Sequence, residues 1–193
     1  MSWGFENDEE FQPALDWIDD FVRTKVEPLD FILEDSYDVK NPDFIRLVRP
    51  LQAEVKKMGL WACHLGEELG GAGFGQLKLA LMNEILGRSR FAPITFGCQA
   101  PDTGNAEILA HYGTPEHKAQ YLQPLLDGEI VSCYSMTEPH AGADPTMFKC
   151  MAVADGDDFV INGEKWFSSN AKFASFFIVM TVTDPDAPPH QRM

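Results

Sequence analysis

Positive charge is scarce in this sequence: 15 Lys and Arg stand against 30 Asp and Glu, a formal net charge of −15 at pH 7. That balance argues against nucleic-acid binding, which needs a cationic face to displace counterions. It also disfavours an anionic membrane surface. Cysteine is sparse as well. Cys63, Cys98, Cys133 and Cys150 are widely spaced, with no Cys-x-x-Cys and no nearby histidine pair. A zinc site or disulfide framework is therefore not expected; the four read as small core residues in a reducing compartment. No apolar run approaches the roughly 20 residues that a membrane helix needs. Met1-Ser2-Trp3-Gly4-Phe5-Glu6-Asn7-Asp8 has neither the basic nor the apolar region of a secretory signal, and it is acidic where a mitochondrial transit peptide is arginine-rich. There is no internal repeat. The glycine-rich stretch Gly70-Gly71-Ala72-Gly73-Phe74-Gly75 has no Lys-Ser/Thr after it and no long strand before it, so neither phosphate-cradling pattern fits.

What is present is enough for a core: 45% hydrophobic residues, with 11% aromatics. Residues 9–33 read as an amphipathic helix, with Phe11, Leu15, Ile18, Phe21 and Val22 on one stripe and Val26 extending it. Pro28 should kink or end it. The acidic excess from Glu6 to Asp38 reads as its solvated face. Asn41, Pro42 and Asp43 spell a helix start, and Gly59 a stop. Between them Leu47, Leu51 and Val55 should stripe the buried face, with Pro50 interrupting the middle. Residues 76–90 read as a helix with Leu77, Leu81, Ile85 and Leu86 inward. Asp102 is expected to cap a helix that reaches His111 and stops at Gly113; Thr114-Pro115-Glu116 then opens another, to about Leu126. Beyond this the period becomes two. Residues 130–136, 148–154, 159–161 and 176–182 read as strands, with a hairpin turn at Asp155-Gly156-Asp157-Asp158. The expected fold class is α+β: helices over residues 1–128, then the beginning of a β-domain over 129–193.

The stretch from Ser132 to Pro145 carries the chemistry. A half-buried strand breaks at Glu138-Pro139, because a proline cannot donate to a ladder and forces its predecessor into extended geometry. Ala141-Gly142-Ala143 has little side-chain bulk, so a flat ligand can approach the main chain. Thr137 sits at the strand end, where its hydroxyl can point into a cleft. Glu138 reads as an orienting acceptor rather than a base. A second stretch, Ile161-Asn162-Gly163-Glu164-Lys165-Trp166-Phe167-Ser168-Ser169-Asn170-Ala171, follows a short strand and a turn.

Together these two stretches resemble the flavin-binding signature of the acyl-CoA dehydrogenase family. The first is similar to its Tyr-x-x-Thr-Glu-Pro-x-Ala-Gly-Ser-Asp pattern, the second to its Asn-Gly-x-Lys-x-Trp-x-(Thr/Ser)-Asn pattern. The resemblance implies an N-terminal helical bundle followed by the first strands of a barrel-like middle domain, with the C-terminal helical domain absent. It implies FAD as cofactor and an acyl-CoA thioester as substrate, oxidised between its α and β carbons with hydride passing to flavin N5. Tyr134, Met136 and Thr137 would line the flavin, Gly142 would admit the diphosphate, Phe167 would stack on the ring and Ser169 would donate toward N5. Ala143 stands where the family has serine. It would keep only a main-chain N–H toward cofactor and substrate. No residue here matches the catalytic glutamate, which the family carries in its C-terminal region, so the chain alone is expected to lack turnover. An acyl-CoA oxidase-like fragment, or a non-catalytic partner of a related flavoenzyme, would share these features. The resemblance further implies a homo-oligomer or a partnership with a full-length relative. It implies bacterial cytoplasm, or peroxisome or mitochondrion in a eukaryote, rather than secretion.

Overall fold

The computed structural model describes residues 9–69 and 71–193. The N-terminal stretch 1–8 and Gly70 of the glycine-rich loop lie outside the described residues. The chain divides into two compact units, Met1–Ile130 and Val131–Met193.

The first unit is helical. Helix α1 (Gln12–Phe21) is regular for 10 residues. It then widens into a π turn at Val22–Val26 and tightens into a 3-10 turn at Glu27–Phe31, with Pro28 at the start of the tight turn. The sequence suggested one helix to residue 33. The change of pitch keeps the apolar stripe inward past the proline: Phe11, Leu15, Ile18, Phe21, Val22 and Val26 are buried before it, and Leu29 and Leu33 after it.

Helix α2 (Pro42–Lys57) is capped as expected, the Asn41 side chain accepting from the Asp43 N–H at 2.8 Å. Gly59 takes a positive φ of 71° just past its end. Pro50 does not interrupt it. That residue faces solvent, where the carbonyl it leaves unpaired can take water. The buried face is Phe44, Val48, Gln52 and Val55, whereas Leu47 and Leu51 are only half-buried. The offset has a polar cause. Gln52 earns an interior place by donating to the Ile94 carbonyl at 3.0 Å and accepting from Arg49 at 3.2 Å. Asn41→Ala should remove the cap and destabilise the helical unit by about 1 kcal/mol, read from the urea midpoint at unchanged slope.

Helix α3 (Gly75–Leu86) ends at Gly87, short of the expected residue 90. Met82 and Leu86 are buried, Leu81 and Ile85 are half-buried, and Leu77 is exposed, contrary to expectation. Arg90 instead leaves the helix to donate to the carbonyls of Asp30, Leu33 and Glu34 at 2.9, 3.1 and 3.0 Å. A short helix α4 (Ala92–Thr95) follows. Helix α5 (Asp102–Tyr112) starts one residue earlier than a cap at Asp102 would allow. Asp102 is buried in its first turn and accepts from Gln99 at 2.8 Å, so its carboxylate is committed there rather than to the helix end. Thr114 does cap its helix, accepting from His117 N–H at 3.2 Å. That helix runs as α6 (Pro115–His117), a π turn at Lys118–Leu122, and α7 (Gln123–Leu126).

The second unit holds four strands. β1 (Ser132–Ser135) pairs in parallel with β4 (Phe176–Val179), Ser132 opposite Phe176 and Ser135 opposite Val179. β2 (Met151–Asp155) and β3 (Asp158–Asn162) form an antiparallel hairpin whose turn uses Gly156 at a φ of +65°. The chain after β4 joins the two pairs. Val182 donates to the Cys150 carbonyl at 2.7 Å and accepts from Ala152 at 2.9 Å. The strand read over 176–182 is thus β4 plus this bridge. Every residue of β3 is exposed. Among the described residues no helix is long and apolar enough to cross a membrane, and no cluster of His, Cys, Asp and Glu could hold a metal ion.

Candidate functional site

β1 delivers the chain to Met136-Thr137-Glu138, where Pro139 ends the ladder. Glu138 and Ala141 close a tight turn, exchanging two main-chain hydrogen bonds at 2.9 and 3.1 Å. The Glu138 side chain folds inward and is 3% exposed. Its carboxylate accepts from the Lys149 N–H at 2.7 Å, the Cys150 N–H at 2.9 Å and Lys165 Nζ at 2.9 Å. His140 Nε2 lies 3.4 Å from the second oxygen. Burial pushes the Glu138 pKa up, but the hydrogen bonds from Lys149, Lys165 and Cys150 and the Lys165 charge outweigh it, and the net shift is downward. A carboxylate so fully engaged is held ionised as a structural acceptor, in keeping with the sequence reading.

Lys165 is the partner that sequence reasoning passed over. Its ammonium also donates to the Met136 carbonyl at 2.8 Å and lies 4.4 Å from the centre of the Phe148 ring. The signal was available: a lysine beside two aromatics, Trp166 and Phe167, with a buried-type carboxylate nearby, needs a counter-charge.

Lys165 brings the second stretch onto the first. Trp166 N–H donates to the Thr137 carbonyl at 2.8 Å, and Ser135 Oγ shares a 2.9 Å hydrogen bond with Ser168 Oγ. Beyond Trp166 the chain forms a tight strap. Phe167, Ser168 and Asn170 all have positive φ, at 69°, 25° and 70°. For non-glycine residues, and a phenylalanine above all, this is a costly conformation held by its surroundings. The holding bonds are Ser168 N–H to Trp166 at 2.9 Å, Ala171 N–H to Ser168 at 3.1 Å, and two donors at 2.9 Å onto the Asn170 carbonyl. The strap turns the Phe167 side chain outward, 81% exposed, with the Trp166 ring edge-on to it at 5.9 Å between centroids. Ser169 is exposed. Asn170 Nδ2 is buried without a hydrogen-bond partner.

The other residues read from the sequence lie on the first stretch. Tyr134 is half-buried in β1, its hydroxyl 3.7 Å from Met180 Sδ. Met136 and Thr137 are half-buried, and Gly142 and Ala143 are exposed. A Cβ at Gly142 would meet only Thr137 Cγ2, at 3.7 Å, so the protein itself does not require glycine there. The two stretches therefore meet through Ser135, Met136, Thr137 and Glu138 on one side and Lys165, Trp166 and Ser168 on the other. Together they offer an exposed ring and exposed hydroxyl and main-chain groups. That donor set suits a flat ring with polar edges.

Both units have known relatives. Residues 8–129 match the family model "Acyl-CoA dehydrogenase, N-terminal domain", and residues 133–193 match "Acyl-CoA dehydrogenase, middle domain". The chain is 39% identical over 183 residues to Acyl-CoA dehydrogenase family member 10 of Mus musculus, covering 89% of this chain and 17% of that protein. It superposes on a solved acyl-CoA dehydrogenase homologue from Mycobacterium abscessus with a TM-score of 0.82 and 32% identity, covering 97% of this chain and 49% of that one. An acyl-CoA dehydrogenase from Bacillus anthracis, solved in complex with FAD, gives a TM-score of 0.65 and 29% identity over 94% of this chain and 31% of its own. The chain thus spans half or less of the length of the relatives it matches here. With both of its halves matched in order, this chain belongs to the acyl-CoA dehydrogenase family, of which it carries the N-terminal helical part and strands of the middle β-domain.

Proposed function

We propose that the chain is the N-terminal portion of an FAD-dependent acyl-CoA dehydrogenase, comprising a helical domain to residue 128 and, from 129, part of the β-domain that holds the flavin. The observation that carries this reading is the strap. Residues 165–171 are hung on 135–138 by four inter-segment hydrogen bonds, and they present an exposed Phe167. When bound, FAD would supply the acceptor for hydride leaving the β carbon of an acyl-CoA. This chain's residues would bind and orient it. Phe167 would stack on one face and exclude water there. Thr137 and Ser169 would hydrogen-bond its polar edge, Tyr134 and Met136 would line it, and Gly142 would leave the main chain open to the diphosphate. Ala143 would offer its N–H toward cofactor and substrate thioester. No group within the chain is assigned as the base. The wholly exposed β3 supports association with a second copy or with a full-length relative.

The test is an FAD titration of the 193-residue chain by flavin fluorescence. Weak saturable binding is expected without dehydrogenase turnover on acyl-CoA. Phe167→Ala should weaken it about 2- to 10-fold, the worth of one aromatic stack. Tyr112→Ala, which removes an exposed ring from helix α5, should leave it unchanged. Equal binding by chain and Phe167→Ala, or family-like turnover by the chain alone, would overturn the reading.

A further inference from the structure

The β2–β3 hairpin leaves one main-chain edge without a neighbour, and the bonds on its other side tell which residues carry that edge. Ala152 N–H donates to the Val182 carbonyl at 2.9 Å, away from β3. Ala152 stands opposite Ile161, so that pair is not hydrogen-bonded, and the Ile161 N–H and C=O point outward as well. Alternation along the strand turns the Phe159 groups outward in the same way and those of Val160 inward, toward Val153. Neither Phe159 nor Ile161 spends its main-chain groups elsewhere among the described residues. The usual guards of an edge strand are missing too. β3 has no proline, no lysine and no bulge, its five residues pairing one to one with β2, and its charge is confined to Asp158 at the start. Its apolar side chains are bare on both faces: Phe159, Val160 and Ile161 are 64, 45 and 52% exposed.

We propose that β3 is the docking edge for a second copy of this chain, the two strands running antiparallel about a two-fold axis at Val160. The segment Asp158-Phe159-Val160-Ile161-Asn162 is its own complement in that register. Phe159 faces the partner's Ile161, and their outward groups exchange main-chain bonds. The two Val160 side chains meet at the axis as a non-hydrogen-bonded pair. Asp158 faces the partner's Asn162 rather than a second acid. Other registers lose this match. Centring the axis on Phe159 sets Asp158 against the partner's Val160 and Asp157 against the partner's Ile161. Centring it on Ile161 brings Asp158 toward the partner's Glu164, and a parallel pairing in register sets Asp158 on its own copy. Like charges directly opposite one another destabilise a ladder. A second copy thus brings the complementary strand with it, and the charge pattern selects one register. The inference rests on the association read above from the exposed β3 and makes no use of flavin.

The experiment uses the 193-residue chain without FAD, so its outcome is separate from that of the flavin titration. Sedimentation equilibrium should show monomer and dimer in exchange, with the dimer favoured by added salt because each copy carries a formal net charge of −15. In the natural sequence the Phe159 and Ile161 amides, followed by NMR, should exchange more slowly as concentration rises. The Val160 amide, already bonded within the hairpin, should not change. Val160→Cys should cross-link to its own copy under mild oxidation, since non-hydrogen-bonded partners lie about 4.5 Å apart, within the span of a disulfide. Val160→Lys should weaken the dimer about 5-fold or more by setting two ammonium groups face to face. Met147→Lys, the same charge change at another exposed site of this unit, should not weaken it. A chain that stays monomeric at every concentration and salt, a dimer that leaves the Phe159 and Ile161 amides unprotected, or association only with a full-length relative would overturn the proposal. The exchange measurement needs no variant, so a substitution that disturbs folding does not affect it.

Discussion

Glu138→Ala is expected to destabilise the strand-bearing unit by about 3–5 kcal/mol, the usual cost of removing one partner from a buried ion pair. The magnitude follows from what would be left behind. The side chain of Lys165 is 10% exposed and that of Glu138 1%, so the orphaned ammonium could not simply turn to water. The Lys149 and Cys150 N–H groups would lose their acceptor as well. Those groups secure the entry to β2, and Lys165 secures the strap, so both should loosen together. Amide exchange read peptide by peptide is the measurement. Protection should fall across 131–193 and persist across 9–130; an unchanged pattern would refute the clamp. The same group sets a pH dependence. Its folded pKa lies below the ordinary 4.5, so the unfolded chain binds the proton more tightly than the folded one. Its stabilisation is fully present above the ordinary range and is lost as pH falls through the depressed folded value. Glu138→Gln should remove that acid-side slope.

Gly163→Ala should be nearly as damaging, by about 1–3 kcal/mol from overpacking alone. A Cβ at this position would lie 2.6 Å from Cys150 Cα and 2.7 Å from its sulfur. The first of these is backbone and cannot swing aside. The φ of +154° adds strain for any L side chain. Because Cys150 is itself bonded to Glu138, the substitution presses on the clamp from the other side. Gly156→Ala is the control. Gly156 also has positive φ, but a Cβ there meets nothing within 4 Å, so only the conformational cost applies. Comparable losses of urea midpoint in the two variants would contradict the steric argument.

Much of this was legible in the residues. The helix starts at Asn41 and Thr114 could be read because capping is local, decided within three or four positions. The hairpin turn at Gly156 was legible for the same reason. The meeting of the two motif stretches came from the family resemblance and not from their spacing. What the sequence hid depends on contacts far along the chain. Leu47 and Leu51 looked inward because Gln52 counted as polar, and its partner Ile94 could not be foreseen. Asp102 looked like a cap until Gln99 claimed its carboxylate. Leu77 looked buried by periodicity, though the described fold leaves it exposed. Lys165 stood out as a lysine between aromatics, but its bonds to Met136 and Glu138 are a property of the folded strap.

The parallel pairing of β1 with β4 sets an order of events during synthesis. An antiparallel neighbour can be reached through a short turn, but a parallel one needs a long connection, here the entire hairpin and the strap. The closing contact is among the most distant in the unit, and such contacts form late. The ribosome will therefore have released the whole helical unit, free to assemble from near neighbours, while β1 still waits for the strand that will lie beside it.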